Sequence, residues 1–225
     1  MSQDNGFVSR VTRSKAEAKA SYDKLSRWYD LLPDHSERKH REAGLEKLGV
    51  RPGENVLEIG FGTGHALLAL TRAVGESGRV YGIDISEGMR DRAKSRLEEA
   101  GLSQRVDLTC GDANELPYDA DFFDAVFISF TLELFDTPEI PVVLGECRRV
   151  LRNGGRLGVV AMTKGEPPGV MERLYEWAHR RWPKYADCRP IYASRSVEEA
   201  GFQLREVARL SMWCMPLEIV LGEKV

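Results

Sequence analysis

The ten residues from Val56 to His65 restrict the fold of this chain more than any other part of its sequence. An apolar strand that contains the acidic Glu58 runs into glycines at positions 60, 62 and 64, and a helix-like segment, 66–70, follows at once. Glycine has no Cβ, so the backbone can turn sharply there and lie directly against a ligand. The helix N-terminus adds unpaired N–H groups and a positive dipole end suited to a carboxylate or phosphate. The stretch therefore predicts a nucleotide-type pocket at the carboxyl end of a strand.

Apolar strands and helices alternate along the rest of the chain. The predicted strands are 55–60, 79–85, 105–110, 122–130 and 157–162, and the predicted helices are 14–31, 36–48, 66–73, 86–99, about 138–151 and 170–182. This alternation predicts a doubly wound α/β fold, in which a mostly parallel sheet carries helices on both faces. Residues 203–223 add two strand-like runs joined near Met215 and Pro216, which predict an antiparallel hairpin at the sheet edge.

Composition excludes several classes of protein. A chain of 225 residues predicts one domain with a full-sized core, and its net charge of −3 argues against a nucleic-acid binder that relies on bulk positive charge. Its four cysteines lie far apart without metal-ligand spacing, so neither a zinc site nor a disulfide framework is expected. No apolar run approaches the ~18 residues of a membrane span, and the first residues lack an apolar leader segment, so we expect a cytoplasmic protein.

Three later motifs narrow the ligand of the predicted pocket. Asp84 ends the second strand about 20 residues after the glycines, where an acidic side chain can accept both hydrogen bonds of a ribose diol. Asp112 follows the third strand, where it can accept a hydrogen bond from an exocyclic adenine amine. A turn of Asn153, Gly154 and Gly155 ends a helix and opens the fifth strand. In this order and at these spacings the motifs indicate an adenosine-containing ligand.

Each of these side chains also has a structural interpretation. Glu58 could be an ordinary surface or capping carboxylate, but a charge inside a buried strand is costly unless a ligand or polar network uses it. Asp84 or Ser86 could cap the next helix, and Ser86 suits that role better, which leaves Asp84 for a ligand. Asp112 could be a simple turn residue, and His65 could belong to the pocket wall or to the helix N-terminus.

Five motifs within residues 50–163 resemble those of the class I S-adenosylmethionine-dependent methyltransferases: VLEIGFGTGH, VYGIDIS, CGDANELP, FDAVFISF and LRNGGRLGVV. Within that class the chain is most similar to the C-methyltransferases of quinone (ubiquinone and menaquinone) biosynthesis, because residues 22–30, YDKLSRWYD, resemble the N-terminal signature of that group. The resemblance fades after about residue 163. It implies a Rossmann-like, seven-stranded, mostly parallel sheet with N-terminal lid helices, and S-adenosyl-L-methionine as cofactor.

The activity that the resemblance implies is methyl transfer by in-line displacement to a small or lipid-like acceptor. The first expectation is a ring carbon of a quinone-type molecule; the alternative is a nitrogen or oxygen of a phospholipid or other small metabolite. Residues 128–131 differ from Asn-Pro-Pro-Tyr, which counts against methylation of nucleic-acid bases or glutamine side chains. An NAD-dependent oxidoreductase fits less well, because the loop typical of those enzymes is G-x-G-x-x-G, whereas this chain has glycines at every second position, 60, 62 and 64. A methyltransferase-like binding protein without catalysis is a further alternative.

The resemblance also implies roles for individual residues around the cofactor. The loop around its methionine and ribose portions would comprise Glu58, Gly60, Gly62 and Gly64, lined by Phe61 and His65. Asp84 would bind the ribose diol, and the adenine would lie among Ile85, Met89, Asp112 and Ala113. Ser129 and Phe130 would face the reacting methyl group. Tyr22 and Tyr29, seven residues apart on one helix face, would close over the amino-acid end; a plain core stripe is the alternative for these two.

Acid–base chemistry is needed only if the acceptor loses a proton, and the candidate bases are His65, Glu133 and His179. No metal is expected. The helix 170–182 sets an apolar stripe beside basic side chains. It is interpreted as a substrate lid that touches an anionic membrane surface, as a helix packed on the sheet, or as a dimer contact. Residues 1–50 are expected to form lid helices, 51–163 the cofactor-binding core, and 164–225 a substrate-side helix and edge strands, all in one domain.

Overall fold

The computed structural model of the chain describes residues 15–25, 35–164, 189–213 and 215–225. The predictions made for Tyr29, for His179 and for the helix 170–182 lie outside these described residues, as do residues 14 and 26–31 of the predicted helix 14–31.

Within the described residues, seven strands form one sheet. They are β1 Asn55–Ile59, β2 Arg79–Asp84, β3 Val106–Cys110, β4 Phe123–Ser129, β5 Leu151–Met162, β6 Gln203–Met212 and β7 Met215–Glu223. Their order in the sheet is β3-β2-β1-β4-β5-β7-β6. The first five strands are mutually parallel, whereas β7 is antiparallel to both β5 and β6. The predicted mostly parallel sheet with an antiparallel edge hairpin is therefore confirmed.

Helices cover both faces of this sheet. They are α1 Lys15–Leu25, α2 His35–Leu48, α3 His65–Ala73, α4 Glu87–Glu99, α5 Ile140–Val150 and α6 Ala193–Glu199. Apolar side chains of α2, α3 and α4 share a core with one face, and those of α5 and α6 share a core with the other. Side chains alternate between the two faces along a strand, so Val56 joins the first core and Leu57 the second. Among the described helices, none is long and apolar enough to cross a bilayer.

The strand order creates a crevice at one edge of the sheet. From β1 the chain moves outward to β2 and β3 and then returns to β4 on the other side of β1. In open α/β sheets such a reversal opens a crevice outside the carboxyl ends of the strands, where ligands bind. At this edge the glycine loop lies beside Asp84, which ends β2, and Asp112, which follows β3.

Two turns differ from their predicted positions. The Asn153–Gly155 turn is a bulge inside β5, because Leu151 pairs with Phe123 and the next pair joins Arg156 to Ala125. The Gly154 N–H donates to the Lys224 carbonyl at 2.8 Å, and the Lys224 N–H donates to the Gly155 carbonyl at 2.9 Å. These two hydrogen bonds keep the backbone paired through the turn. The hairpin turn lies at Trp213, between the paired Met212 and Met215, slightly before the predicted junction.

Candidate functional site

A cavity of about 370 Å³ lies at the carboxyl ends of β1, β2 and β4. The predicted site residues that line it are Tyr22, Glu58, Gly60, Phe61, Gly62, His65, Asp84, Ile85, Met89, Asp112, Ala113, Ser129 and Phe130. These residues come from five separate segments of the chain, and the fold brings them to one wall. Gly64 was also predicted for this site, but it is not among the residues that line the cavity.

The three glycines of the loop have two different explanations: at Gly60 and Gly64 a neighbouring side chain leaves no room for a Cβ, whereas Gly62 faces open space. Gly60 has φ +71°, and a Cβ there would overlap the side chain of Thr131. A Cβ on Gly64 would lie 2.9 Å from the Cβ of Ala93, so this glycine allows α3 and α4 to pack closely. A Cβ on Gly62 would meet no described atom within 4 Å, because that side of the loop faces the open cavity.

Asp84 is held by the backbone on two sides. Its Oδ2 accepts the Gly62 N–H at 2.9 Å, and its Oδ1 accepts the Ser86 N–H at 2.9 Å. Burial raises the pKa of the Asp84 carboxyl, and these two N–H groups oppose that rise. Ser86 caps α4 by accepting the Met89 N–H, as predicted. Each carboxylate oxygen keeps a further acceptor position, so Asp84 can serve a ligand with two adjacent hydroxyls.

Glu58 places an unsatisfied acceptor at the cavity wall. The side chain is 3% exposed, and its Oε2 has no hydrogen-bond partner among the residues that the structure describes. Burial raises the pKa of Glu58 to about 8; Arg41 opposes this rise and the Asp84 carboxyl adds to it. A buried acceptor without a donor is costly, and a ligand that brings N–H donors, such as an ammonium group, removes the cost. The wall therefore fits the amino-acid end of S-adenosylmethionine.

The loop after β3 lines the cavity and is fixed from α5. Asp112 Oδ1 accepts the Asn114 N–H at 3.0 Å, so the predicted turn role of Asp112 coexists with its place on the cavity wall. Farther along the loop, Arg149 donates to the backbone carbonyl of Leu116 at 2.9 Å and to that of Tyr118 at 2.8 Å. Helix α5 thus holds the backbone that follows Asp112.

Among the lining residues that were not predicted from the sequence, six lie on α2 or after β4. They are Glu37 and Arg41 of α2, and Thr131, Leu134, Phe135 and Glu139 after β4. The spacing of Glu37 and Arg41 puts them on one helix face, and this was the available signal. Next to them, Phe130 has φ 51°, an uncommon conformation for a bulky residue, and the buried Ser129 Oγ has no hydrogen-bond partner among the described residues. Together these residues add both apolar and charged side chains to the lining of the cavity.

The three candidate bases occupy different places. His65, exposed, begins α3 at the cavity wall. Glu133 is completely buried and does not line the cavity; its Oε1 accepts the Met162 N–H at 3.3 Å and its Oε2 has no partner among the described residues. Burial raises the pKa of Glu133 to about 8. His179 lies outside the described residues. A role as base stays a prediction for all three.

Comparisons with known proteins give the chain relatives among methyltransferases. A family model described as a methyltransferase domain matches residues 56–155. The demethylmenaquinone methyltransferase of Staphylococcus aureus is 35% identical over 176 residues, which are 78% of this chain and 69% of the relative. The demethylmenaquinone methyltransferase of Bacillus subtilis is 33% identical over 150 residues, or 65% of this chain. The match spans 62% of the length of that relative.

Solved structures share the fold at lower identity. A SAM-dependent methyltransferase from Aquifex aeolicus superposes with a TM-score of 0.66 at 24% identity, covering 92% of this chain and 98% of the other. The geranyl diphosphate C-methyltransferase of Streptomyces coelicolor gives 0.75 at 14% identity, covering 96% and 100%. At these identities the likeness concerns the fold alone.

Proposed function

The chain belongs to the class I S-adenosylmethionine-dependent methyltransferases, and we propose that it methylates a ring carbon of a quinol-type acceptor. The proposal that the site binds this cofactor rests on Asp84, whose carboxylate accepts two backbone N–H groups beside the open side of Gly62. It rests also on Glu58, whose Oε2 has no hydrogen-bond partner among the described residues. The proposed acceptor is supported by the activity in the names of the Staphylococcus and Bacillus relatives.

Residues of this chain are proposed to hold the cofactor at three points. Asp84 would accept hydrogen bonds from both ribose hydroxyls of the cofactor. Glu58 would accept hydrogen bonds from its ammonium group, and Arg41 would pair with its carboxylate. Arg41 suits this role because it lines the cavity and is close enough to Glu58 to lower the pKa of that carboxyl. When bound, the cofactor supplies a methyl group activated by a positively charged sulfur.

The contribution of the chain to catalysis would be alignment and exclusion of water. Holding two reactants in line can supply ~7–11 kcal/mol of barrier reduction. Phe130, Leu134 and Phe135 offer an apolar wall against which a flat ring can pack. Methylation of a ring carbon also releases a proton, and two carboxylates that line the cavity, Glu37 and Glu139, are the proposed proton acceptors.

The same two carboxylates favour a second candidate, an amine acceptor such as the headgroup of a phospholipid. Acidic side chains attract a cationic amine, whereas a neutral ring depends on the apolar wall. The two candidates differ in the atom that receives the methyl group, so the product separates them.

Methyl transfer from labelled S-adenosylmethionine tests both candidates. The protein is incubated with a reduced, unmethylated naphthoquinone, with phosphatidylethanolamine, and with a total lipid extract, and the products are identified by mass spectrometry. We expect the label on the quinol ring carbon. Label confined to the headgroup nitrogen would favour the amine acceptor and overturn the quinol proposal. The Asp84→Asn variant is the matched control, since it keeps the shape of the site but loses the charge.

A lipid-soluble acceptor would reach the protein from a membrane. We propose that the protein contacts the membrane surface through the tip of the β6–β7 hairpin. Because Met162 at the end of β5 pairs with Leu217, this tip lies at the same sheet edge as the cavity. Trp213 there is 61% exposed with φ 52°, and Leu210 is 42% exposed. Tryptophan is the residue that prefers the membrane interface.

Co-sedimentation with liposomes tests this contact. Trp213→Ala is expected to reduce binding to vesicles that contain anionic lipid, whereas Val142→Ala on α5, which changes another exposed apolar residue, is expected to leave it unchanged. Equal binding of both variants, or none by the wild type at low salt, would contradict the proposal.

A further inference from the structure

Helix α1 is joined to the N-terminus of α4 by two side chains one helical turn apart. Asp23 Oδ1 accepts hydrogen bonds from the Ser86 hydroxyl at 2.5 Å and from the Gly88 N–H at 3.0 Å. Lys19 Nζ lies 2.8 Å from Glu87 Oε1. These contacts link residues more than 60 positions apart in the chain.

Asp23 completes the cap of α4 from outside that helix. The first N–H groups of a helix have no partner within it. Ser86 serves Met89, and Asp23 serves Gly88. A carboxylate at this end also gains from the helix dipole. Burial acts to raise the pKa of Asp23, but the hydrogen bonds from Ser86 and Gly88, together with the nearby charge of Lys19, lower it. The charged form is therefore the one that makes these contacts.

Ser86 connects this contact to the cofactor wall. Its backbone N–H holds Asp84 Oδ1 at 2.9 Å, while its hydroxyl donates to Asp23. Tyr22, the neighbour of Asp23 on α1, lines the cavity. One serine thus bridges the carboxylate of α1 and the carboxylate proposed to bind the ribose, so the position of α1 and the cofactor wall are set together.

We propose that Asp23 is a positioning residue, a latch that holds α1 closed over the bound cofactor by capping α4. The proposal rests on the placement of the cofactor along Asp84. In the latched state Tyr22 covers the cavity, and cofactor can leave only when Asp23 releases Ser86 and Gly88. The loss of the latch therefore weakens cofactor binding by favouring the open position of α1.

The neighbouring ion pair provides an internal control. The side chains of Lys19 and Glu87 are 36% and 58% exposed, and exposed ion pairs contribute little. Asp23, in contrast, makes charge-assisted hydrogen bonds to two donors, and such bonds are among the stronger ones in proteins. Lys19→Ala removes a contact of the same helix with the same partner segment and leaves the latch in place.

The test measures S-adenosylhomocysteine binding by calorimetry and the amide hydrogen exchange of residues 15–25 in the bound protein. For Asp23→Ala we expect the dissociation constant to rise about tenfold or more, as the loss of a charge-assisted hydrogen bond predicts, together with faster exchange in α1. Asp23→Asn keeps an acceptor oxygen without the charge and is expected to weaken binding about threefold. For Lys19→Ala we expect a change of about twofold or less.

The outcomes separate the latch from the acceptor proposal. Binding of S-adenosylhomocysteine does not involve the methyl acceptor. If the proposed acceptor is wrong, the affinity and the hydrogen exchange of α1 should therefore still change as expected. An Asp23→Ala variant with wild-type affinity and wild-type exchange would overturn the latch alone. If that variant fails to fold, Asp23→Asn decides, and unchanged affinity in it overturns the latch. A wild-type protein that does not bind S-adenosylhomocysteine would overturn both the cofactor placement and the latch.

Discussion

Asp84 is fixed before a ligand arrives, because Gly62 and Ser86 each donate a backbone N–H to its carboxylate. A side chain held from two sides loses little freedom when a ligand binds, so its hydrogen bonds contribute more of their strength to affinity. The same N–H groups oppose the rise that burial causes in the pKa of this carboxyl. One side chain therefore orders the loop and presents an acceptor to the cavity.

At this residue we predict that Asp84→Asn weakens S-adenosylhomocysteine binding about 10- to 100-fold, since hydrogen bonds to a charged group are worth about 1.5–3 kcal/mol. The shape of the site is kept, so thermal stability without ligand should change little. Calorimetric titration measures the effect. Asp91→Asn, an exposed position on α4, is the matched control, and equal affinity in the two variants would contradict the assignment of Asp84.

Glu58 and Glu133 are two buried carboxyl groups whose pKa is raised to about 8, chiefly by burial. A carboxyl group whose pKa is higher in the folded than in the unfolded protein binds its proton more tightly when folded. Its stabilising contribution is therefore complete below the ordinary value of 4.5 and is lost as the pH rises through 8. Each group can change the free energy of unfolding by up to about 1.4 kcal/mol per pH unit in this window.

We therefore expect the free energy of unfolding of the cofactor-free protein to fall between about pH 5 and pH 8, and Glu133→Gln to reduce that slope. The amide does not ionise, yet its oxygen can still accept the Met162 N–H. Urea unfolding at a series of pH values gives the slopes. Glu115→Gln, at an exposed position, should retain the wild-type slope; a Glu133→Gln slope equal to it would show that Glu133 does not titrate in this range.

At the scale of elements, α5 stabilises a loop that it does not adjoin in sequence. Arg149 holds the carbonyls of Leu116 and Tyr118, and Glu146 both pairs with Arg149 and accepts the Leu116 N–H at 2.8 Å. The loop begins at Asp112 and Ala113 on the cavity wall. A helix packed on one face of the sheet therefore sets the backbone at its edge.

We predict that Arg149→Ala lowers stability by about 1–3 kcal/mol, because two backbone carbonyls lose their donors and Glu146 loses its partner. Affinity for S-adenosylhomocysteine should fall by about threefold as the loop loosens. Thermal unfolding and calorimetry measure the two effects. Arg195→Ala breaks an exposed pair with Glu199 on α6 and should change stability by less than about 0.5 kcal/mol. Similar losses in both variants would mean that the loop does not depend on α5.

For the whole molecule, the sheet topology decides where these parts meet, and binding of the cofactor should stabilise all of them together. At 100 times its dissociation constant a ligand adds about 2.7 kcal/mol, which for a chain of this size raises the melting temperature by roughly 5–10 °C. We predict such a rise with S-adenosylhomocysteine and none with NAD. A rise with NAD alone would instead favour an oxidoreductase.

The parts of the site that could be predicted from sequence are those carried by short motifs. Gly62 lies just after one strand and Asp84 ends the next, and the apolar pattern of both strands is clear in the sequence. Their closeness at one edge of the sheet was therefore predictable. Glu37 and Arg41 lie on a helix before β1, and only the packing of α2 against the sheet brings them to the cavity. The bulge in β5 depends on Lys224, far along the chain, and a local pattern holds no information about such a pairing.

The contact of Gly60 with Thr131 has a consequence for how such a protein can diversify. The space that a Cβ at position 60 needs is already filled by the side chain at position 131. Enlarging either residue displaces the other, so a new acceptor range reached through position 131 would disturb cofactor binding in the same step. We therefore expect substitutions that change the range of acceptors at Leu134 and Phe135, which line the cavity, rather than at Thr131 or at Arg41, which is proposed to hold the cofactor.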